Sequence, residues 1–158
     1  MATMTYQEYR ESNQKSFNEL PLFFAYSNEQ LYKEMEKRGL QRTELSKITR
    51  LGNNGVFALK SDVPVIKAWL NREDPLETLM QDPDFAEDAF YYEMCNHEYG
   101  INWQGAWDVC QCFGDPKYSE EKTGPDYLRD LGYGEETIHA YRRAEKRYYR
   151  DAEQNDWI

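Results

Sequence analysis

The chain is predicted to be an α+β protein, with N-terminal helices on a small antiparallel sheet followed by a mostly helical C-terminal half. Three observations predict this. Helix caps recur along the chain, two β-leaning runs near 45–60 flank a Gly-Asn-Asn-Gly turn, and strand signals nearly vanish after residue 72. The implied lobes are 1–72 (α+β) and 73–158 (helical), sharing one core in a single domain. A chain of 158 residues buries about two-thirds of its unfolded surface. Its 13 Tyr, 7 Phe and 4 Trp supply the apolar material.

The elements follow in order. Thr5 and Glu8 form a capping-box pattern, after which Tyr6, Tyr9, Asn13, Phe17 and Leu20 fall near one helical face until Pro21 intervenes, giving a helix over about 5–19. Leu22 to Tyr26 is short, apolar and aromatic, as a buried strand is. Ser27 with Gln30 repeats the capping box and opens a helix over about 28–38 that Gly39 ends. LSKITRL and VFALK, separated by Gly52, Asn53, Asn54 and Gly55, read as a hairpin because Asn and Gly tolerate positive φ. Ser61 or Asp62 caps a helix with Pro64 in its first turn, carrying Val65, Ile66, Trp69 and Leu70. Asp74-Pro75 with Glu77, and Asp82-Pro83, each place a carboxylate at an N-cap before a proline, predicting a short helix and then one over about 84–98. Residues 135–154 lack Gly and Pro and read as one continuous helix.

Charge is the most informative global feature. The net charge of -10 resides in one segment: Glu73 to Pro116 carries eleven acidic residues and no Lys or Arg, while the rest of the chain has 18 acidic and 19 basic residues. Charges within a Debye length of about 8 Å are poorly screened from one another. Such a block therefore costs self-repulsion and reads as a surface prepared for a basic partner. Its candidate contacts are Glu73, Asp74, Glu77, Asp84, Glu87, Asp88, Glu93, Glu98 and Asp108. On the predicted helix, Asp84, Glu87, Asp88 and Glu98 lie close to one face with Tyr91, and Phe85, Ala89 and Tyr92 lie on another. A carboxylate row imitates a phosphate backbone and competes for Lys/Arg grooves that hold nucleic acid. Asp74 and Asp82 also suit caps, and a solvated face accounts for the others equally well.

The last helix carries the opposite sign. His139, Arg142, Arg143, Lys146, Arg147 and Arg150 repeat at three- and four-residue intervals beside an apolar stripe of Ile138, Tyr141, Tyr148 and Ala152. This basic stripe is suited to contact nucleic acid, though the negative molecule weakens such binding. It is better suited to dock beside the acidic block, to pair with Glu145, Asp151 and Glu153, or to meet the acidic block of a second copy. A monomer or a weak homodimer is expected: Tyr141, Tyr148, Tyr149 and Trp157 are the candidate apolar centre of a dimer, but they read more readily as packing the helix onto its own domain.

No nucleophile elbow, phosphate loop or dinucleotide fingerprint occurs, so no catalytic residue and no cofactor are assigned and binding rather than catalysis is expected. His97, with Glu93 one helical turn before it, offers two metal ligands. That set is incomplete, and Cys110-x-Cys112 alone is a weak thiolate pair, so no metal is assigned. Trp103 and Trp107, with Phe113 following, read as core more than as a stacking platform. Three clustered cysteines, Cys95, Cys110 and Cys112, read as reduced thiols. MATMTYQEYR has no apolar leader stretch and no run of about 18 apolar residues exists, so a cytoplasmic protein without membrane contact is expected.

MTYQEYRESNQKSFNELPLFFAYSNEQLYKEMEKRGL, the turn region KITRLGNNGVFALKSD, and YYEMCNHEYGINWQGAWDV resemble a family of short acidic proteins of unassigned biochemistry carried by bacteriophages and mobile elements. The resemblance spans about residues 4–110 and leaves the helical tail outside. Proteins of such settings include anti-CRISPR inhibitors of RNA-guided nucleases, several of which occupy basic nucleic-acid grooves. The resemblance thus implies, by analogy, an inhibitor in a bacterial host cell that binds a nucleic-acid-handling defence protein, in particular an RNA-guided nuclease, and the charge pattern points to the 73–116 block as its contact surface. The alternative is a nucleic-acid-binding accessory protein using the basic C-terminal helix. No catalytic residues are carried over.

Overall fold

A computed structural model describes residues 4–158. Two units divide the chain: the part up to Ser12 with Asp74–Ile158, and Asn13–Glu73. Each unit has its own cluster of buried side chains among the described residues. The first helix, α1 (Tyr6–Asn18), is divided between the units: its two buried residues, Tyr6 and Tyr9, belong to the cluster of the first, and its residues from Asn13 onward belong to the second.

Within Asn13–Glu73 lie β1 (Leu22–Phe24), α2 (Asn28–Lys37), β2 (Ile48–Arg50), β3 (Val56–Leu59) and α3 (Val63–Leu70). Among the described residues the strands form one antiparallel sheet in the order β1-β3-β2. The first β-leaning run pairs only at its end, since Arg42–Lys47 coils into a 3-10 helix before the ladder begins. Gly52 and Gly55 turn the hairpin at φ 80° and 70°. Only glycine fits at position 55, where a Cβ would stand 2.7 Å from the Ala25 carbonyl oxygen. Ser27 caps α2, its Oγ accepting from the Gln30 amide at 3.2 Å. The Gln30 side chain reaches one residue further back than a capping box requires and accepts from the Tyr26 amide at 2.8 Å. Asp62 occupies the N-cap of α3 without a side-chain capping bond. Phe23, Ala25, Met35, Ile48 and Phe57 form the core, with Phe23 and Phe57 stacked across the β1–β3 pair. Trp69 donates from Nε1 to Ser16 Oγ at 3.1 Å, meets the edge of Phe17, and carries the Arg72 guanidinium 3.7 Å above its ring.

The other unit adds α4 (Leu76–Leu79), α5 (Pro83–Asn96), α6 (Gly105–Gln111), α7 (Gly124–Asp130) and α8 (Glu135–Gln154). Local side chains start α1, α5 and α7. The Thr5 amide donates to Glu8 and the Glu8 amide to Thr5 Oγ1, Asp82 accepts from the Asp84 and Phe85 amides, and Thr123 with Asp126 forms a capping box. The core is the seam between α5 and α8. Phe85, Ala86, Ala89, Phe90 and Met94 pack with Ile138, Ala140, Tyr141, Ala144 and Tyr148, and the alanines let the helices approach closely. Phe90 meets Phe113 and Tyr141 edge-on at 4.9 and 5.1 Å. Phe113 is buried and Trp107 half-buried, as expected of core, but Trp103 stands 78% exposed with only its edge near Tyr118. Trp103 lies before α6 rather than on it, so helical spacing does not apply there. No helix among the described residues is long and apolar enough to cross a membrane.

Candidate functional site

The buried row of α5 dictates where its carboxylates go. With Ala86, Ala89 and Phe90 turned inward, Glu87 and Asp88 fall at the border facing α8. Arg143 Nε meets Glu87 Oε2 at 3.3 Å, and Arg147 Nη1 meets Asp88 Oδ1 at 2.9 Å. Arg147 also lies 3.8 Å over the Tyr91 ring, whose hydroxyl donates to Asp151 at 2.7 Å. These pairs advance together along both helices, so α5 and α8 run in the same direction. Two members of the basic stripe, Arg143 and Arg147, therefore pair with the acidic block of their own chain. Arg150 bonds its neighbour Asp151, while His139, Arg142 and Lys146 face solvent.

The remaining candidate carboxylates disperse. Glu73, Asp74, Glu77, Asp84 and Glu98 are exposed. Asp74 accepts from the Tyr9 hydroxyl at 2.8 Å and from the Leu76 amide at 3.0 Å. Burial first, then the nearby carboxylate of Glu77, push the Tyr133 hydroxyl up to about 12. Thr137 Oγ1 donates to the Met80 carbonyl at 3.1 Å, which brings the start of α8, with exposed Glu135 and Glu136, to the turn before α5. Glu98 departs from the expected row: it lies past the end of α5 at φ 51°. Asp108 is half-buried and accepts from Asn102 Nδ2 at 2.7 Å. Glu93 is not a surface contact at all. Four residues beyond Ala89, it continues the buried row and is 1% exposed.

Glu93 is the centre of a polar cluster instead. Tyr6 and Arg10 reach it from successive turns of α1, His97 from the next turn beyond Glu93 itself, and Cys112 from the C-cap of α6. Glu93 Oε1 accepts from Arg10 Nη1 at 2.8 Å and from the Tyr6 hydroxyl at 3.2 Å. Its Oε2 accepts from Cys112 Sγ at 2.9 Å and stands 3.3 Å from His97 Nε2. Cys112 Sγ and His97 Nε2 are 3.7 Å apart. A buried carboxylate without partners costs several kcal/mol, and these four groups offset that cost. Burial, followed by the charge of Glu93, raises the Tyr6 phenol. Burial and then the hydrogen bond to Glu93 raise the Cys112 thiol, which is therefore protonated at neutral pH and donates.

This arrangement is not a proton relay. In a thiol–imidazole–carboxylate relay, the carboxylate holds one ring nitrogen and the thiol faces the other. Here both meet Nε2, and a raised thiol is the opposite of an activated nucleophile. What the geometry provides is three donor atoms of different type around one point.

Over residues 5–109 the chain matches a family of unknown function, DUF7659. The chain belongs to this family. No curated protein and no solved structure matches it. The DUF7659 match includes Tyr6, Arg10, Glu93 and His97, stops short of Cys112, and leaves α8 outside. The spacing of Glu93 and His97 made two of the five cluster residues visible in sequence. Tyr6, Arg10 and Cys112 carry no such signal, because tertiary folding alone brings them in.

Proposed function

We propose that the protein acts by binding rather than by catalysis, as a mobile-element inhibitor whose carboxylates engage the basic groove of a nucleic-acid-handling host defence protein, in particular an RNA-guided CRISPR nuclease. The observation that carries this reading is the surplus left after α8 has docked. Glu77, Asp84 and Glu98 stay exposed and outside the ion pairs that α8 makes with Glu87 and Asp88. The segment that bears them supplies no basic residue of its own. A groove built for phosphates gains from such a surface in a salt-dependent way. The alternative, nucleic-acid binding through α8, has less support, because Arg143 and Arg147 are already engaged. Of the four aromatics suited to a dimer centre, Tyr141 and Tyr148 are buried in their own unit, which leaves Tyr149 and Trp157 exposed as the apolar part of a weak homodimer.

Competition tests the proposal. Adding the protein to a purified RNA-guided nuclease should reduce its binding of guide RNA or target DNA, less so at higher salt. The triple variant Glu77→Lys, Asp84→Lys, Glu98→Lys should lose the effect. Equal inhibition by that variant would overturn charge mimicry, and undiminished nucleic-acid binding in the presence of the wild type would overturn the inhibitor reading.

A further inference from the structure

We propose that Glu93, His97 and Cys112 form a binding site for one divalent cation of the zinc class. One carboxylate oxygen, one imidazole nitrogen and one sulfur make the mixed, borderline-soft donor set that zinc accepts. The helix fixes two of them: Glu93 and His97 are four residues apart on α5 and so share a face. Cys112 closes the set from the end of α6.

The distances fit a tetrahedral centre. With metal bonds of about 2.3 Å to sulfur, about 2.05 Å to nitrogen and about 2.0 Å to oxygen, its donor edges are about 3.6 Å (S to N), about 3.5 Å (S to O) and about 3.3 Å (N to O). The corresponding edges here are 3.7, 2.9 and 3.3 Å. Two of the three already match. The third is short because the Cys112 S–H donates straight to Glu93 Oε2. Opening that edge by about 0.6 Å, within the freedom of one cysteine rotamer, completes the triangle. The thiol proton thus occupies the direction a cation would take. On binding, the S–H bond breaks, the sulfur keeps the electron pair and forms the metal bond, and the proton leaves to solvent.

The outer groups suit the same purpose. Glu93 uses Oε1 for Arg10 and Tyr6, which holds the carboxylate so that Oε2 faces His97 and Cys112. Orienting bonds of this kind are the usual complement of a metal ligand. Carboxylate and thiolate together neutralise a dication, and the Arg10 charge beside them is 42% exposed, so water screens it. The His97 side chain is 30% exposed, which gives the ion an approach from solvent and leaves a fourth position for water.

Cobalt(II) is the probe of choice because it reports coordination by colour. Metal-free, reduced, full-length protein titrated with Co²⁺ should develop the visible bands of a tetrahedral ion and a near-ultraviolet thiolate-to-cobalt charge-transfer band, saturating at one ion per chain and bleached by Zn²⁺. Cys112→Ser should abolish the charge-transfer band. His97→Ala, at a half-exposed position that tolerates truncation, should lower affinity by no less than the about tenfold that loss of an outer partner costs. Cys95→Ser, at an exposed thiol, should change neither. Absence of the bands in the wild type, their survival in Cys112→Ser, their loss in Cys95→Ser, or unchanged affinity in His97→Ala would each overturn the proposal.

Discussion

Among the described residues, nineteen buried hydrophobics make up the cluster of the helical unit and five that of Asn13–Glu73. The larger is a helix-on-helix seam with Phe90 and Tyr141 at its middle; the smaller rests on one stacked phenylalanine pair and Met35 above a sheet whose two edge strands have three residues each. Both residues classed as buried polar or charged, Glu93 and Thr137, lie in the helical unit. The comparison teaches where a protein can hold a buried charge. Desolvating a carboxylate costs several kcal/mol even when it is paired, and only the larger core has apolar burial enough to offset that.

Alkaline pH should produce the largest effect and should strike the helical unit. Burial first, then other nearby groups, raise Tyr6, Tyr99, Tyr133 and Tyr141 above the ordinary 10.0, with Tyr133 at about 12. The folded state therefore keeps these protons after the unfolded chain has lost them. Their contribution is complete below pH 10 and is lost as pH rises through the folded values. At pH 11 each can remove at most about 1.4 kcal/mol, and together they exceed a single substitution. A melting temperature that stays level from pH 9 to beyond the Tyr133 value would contradict this.

Phe90→Ala should cost about 3–5 kcal/mol in urea denaturation, as expected for a fully buried aromatic. A loss below about 1 kcal/mol would mean that the α5–α8 seam is not the principal core. Phe57→Ala should cost about 3 kcal/mol and quicken amide exchange in β1, β3 and α2. If protection in α5 and α8 fell equally, the two clusters would be one cooperative core and the comparison would break. Arg10→Ala should cost about 2 kcal/mol, less than a fully buried pair because the arginine is half-exposed; stability equal to wild type would show that Tyr6, His97 and Cys112 suffice for Glu93. Thr123→Ala should remove the capping box of α7 for about 1 kcal/mol, seen as a small melting shift.

What the sequence made legible was local. Thr5 with Glu8, Asp82 before Pro83, the Asn/Gly turn and the uninterrupted 135–154 stretch each act within a few residues, and each appears where its chemistry puts it. Thr123 and Asp126 flank Gly124-Pro125, and their capping box went unread although proline in the first turn is compatible with a helix. What depends on distant partners stayed unread. Glu93 looks like one more member of an acidic run until Arg10 and Tyr6 arrive from more than eighty positions away. Glu87 and Asp88 look available until α8 covers them. The convergence of Cys112 on His97 depends on the turn between α5 and α6, which no periodicity encodes.

Trp69 is the sole tryptophan of Asn13–Glu73; Trp103, Trp107 and Trp157 all lie in the other unit. Its indole sits between the Arg72 cation and the edge of Phe17, an environment that unfolding of the small sheet would disperse. Replacing the other three with phenylalanine leaves a chain with one tryptophan, whose emission, excited beyond the tyrosine absorption band, reports on the smaller unit alone. Beside the helical signal in the far ultraviolet, dominated by the larger unit, that emission lets the two be followed separately in one cuvette.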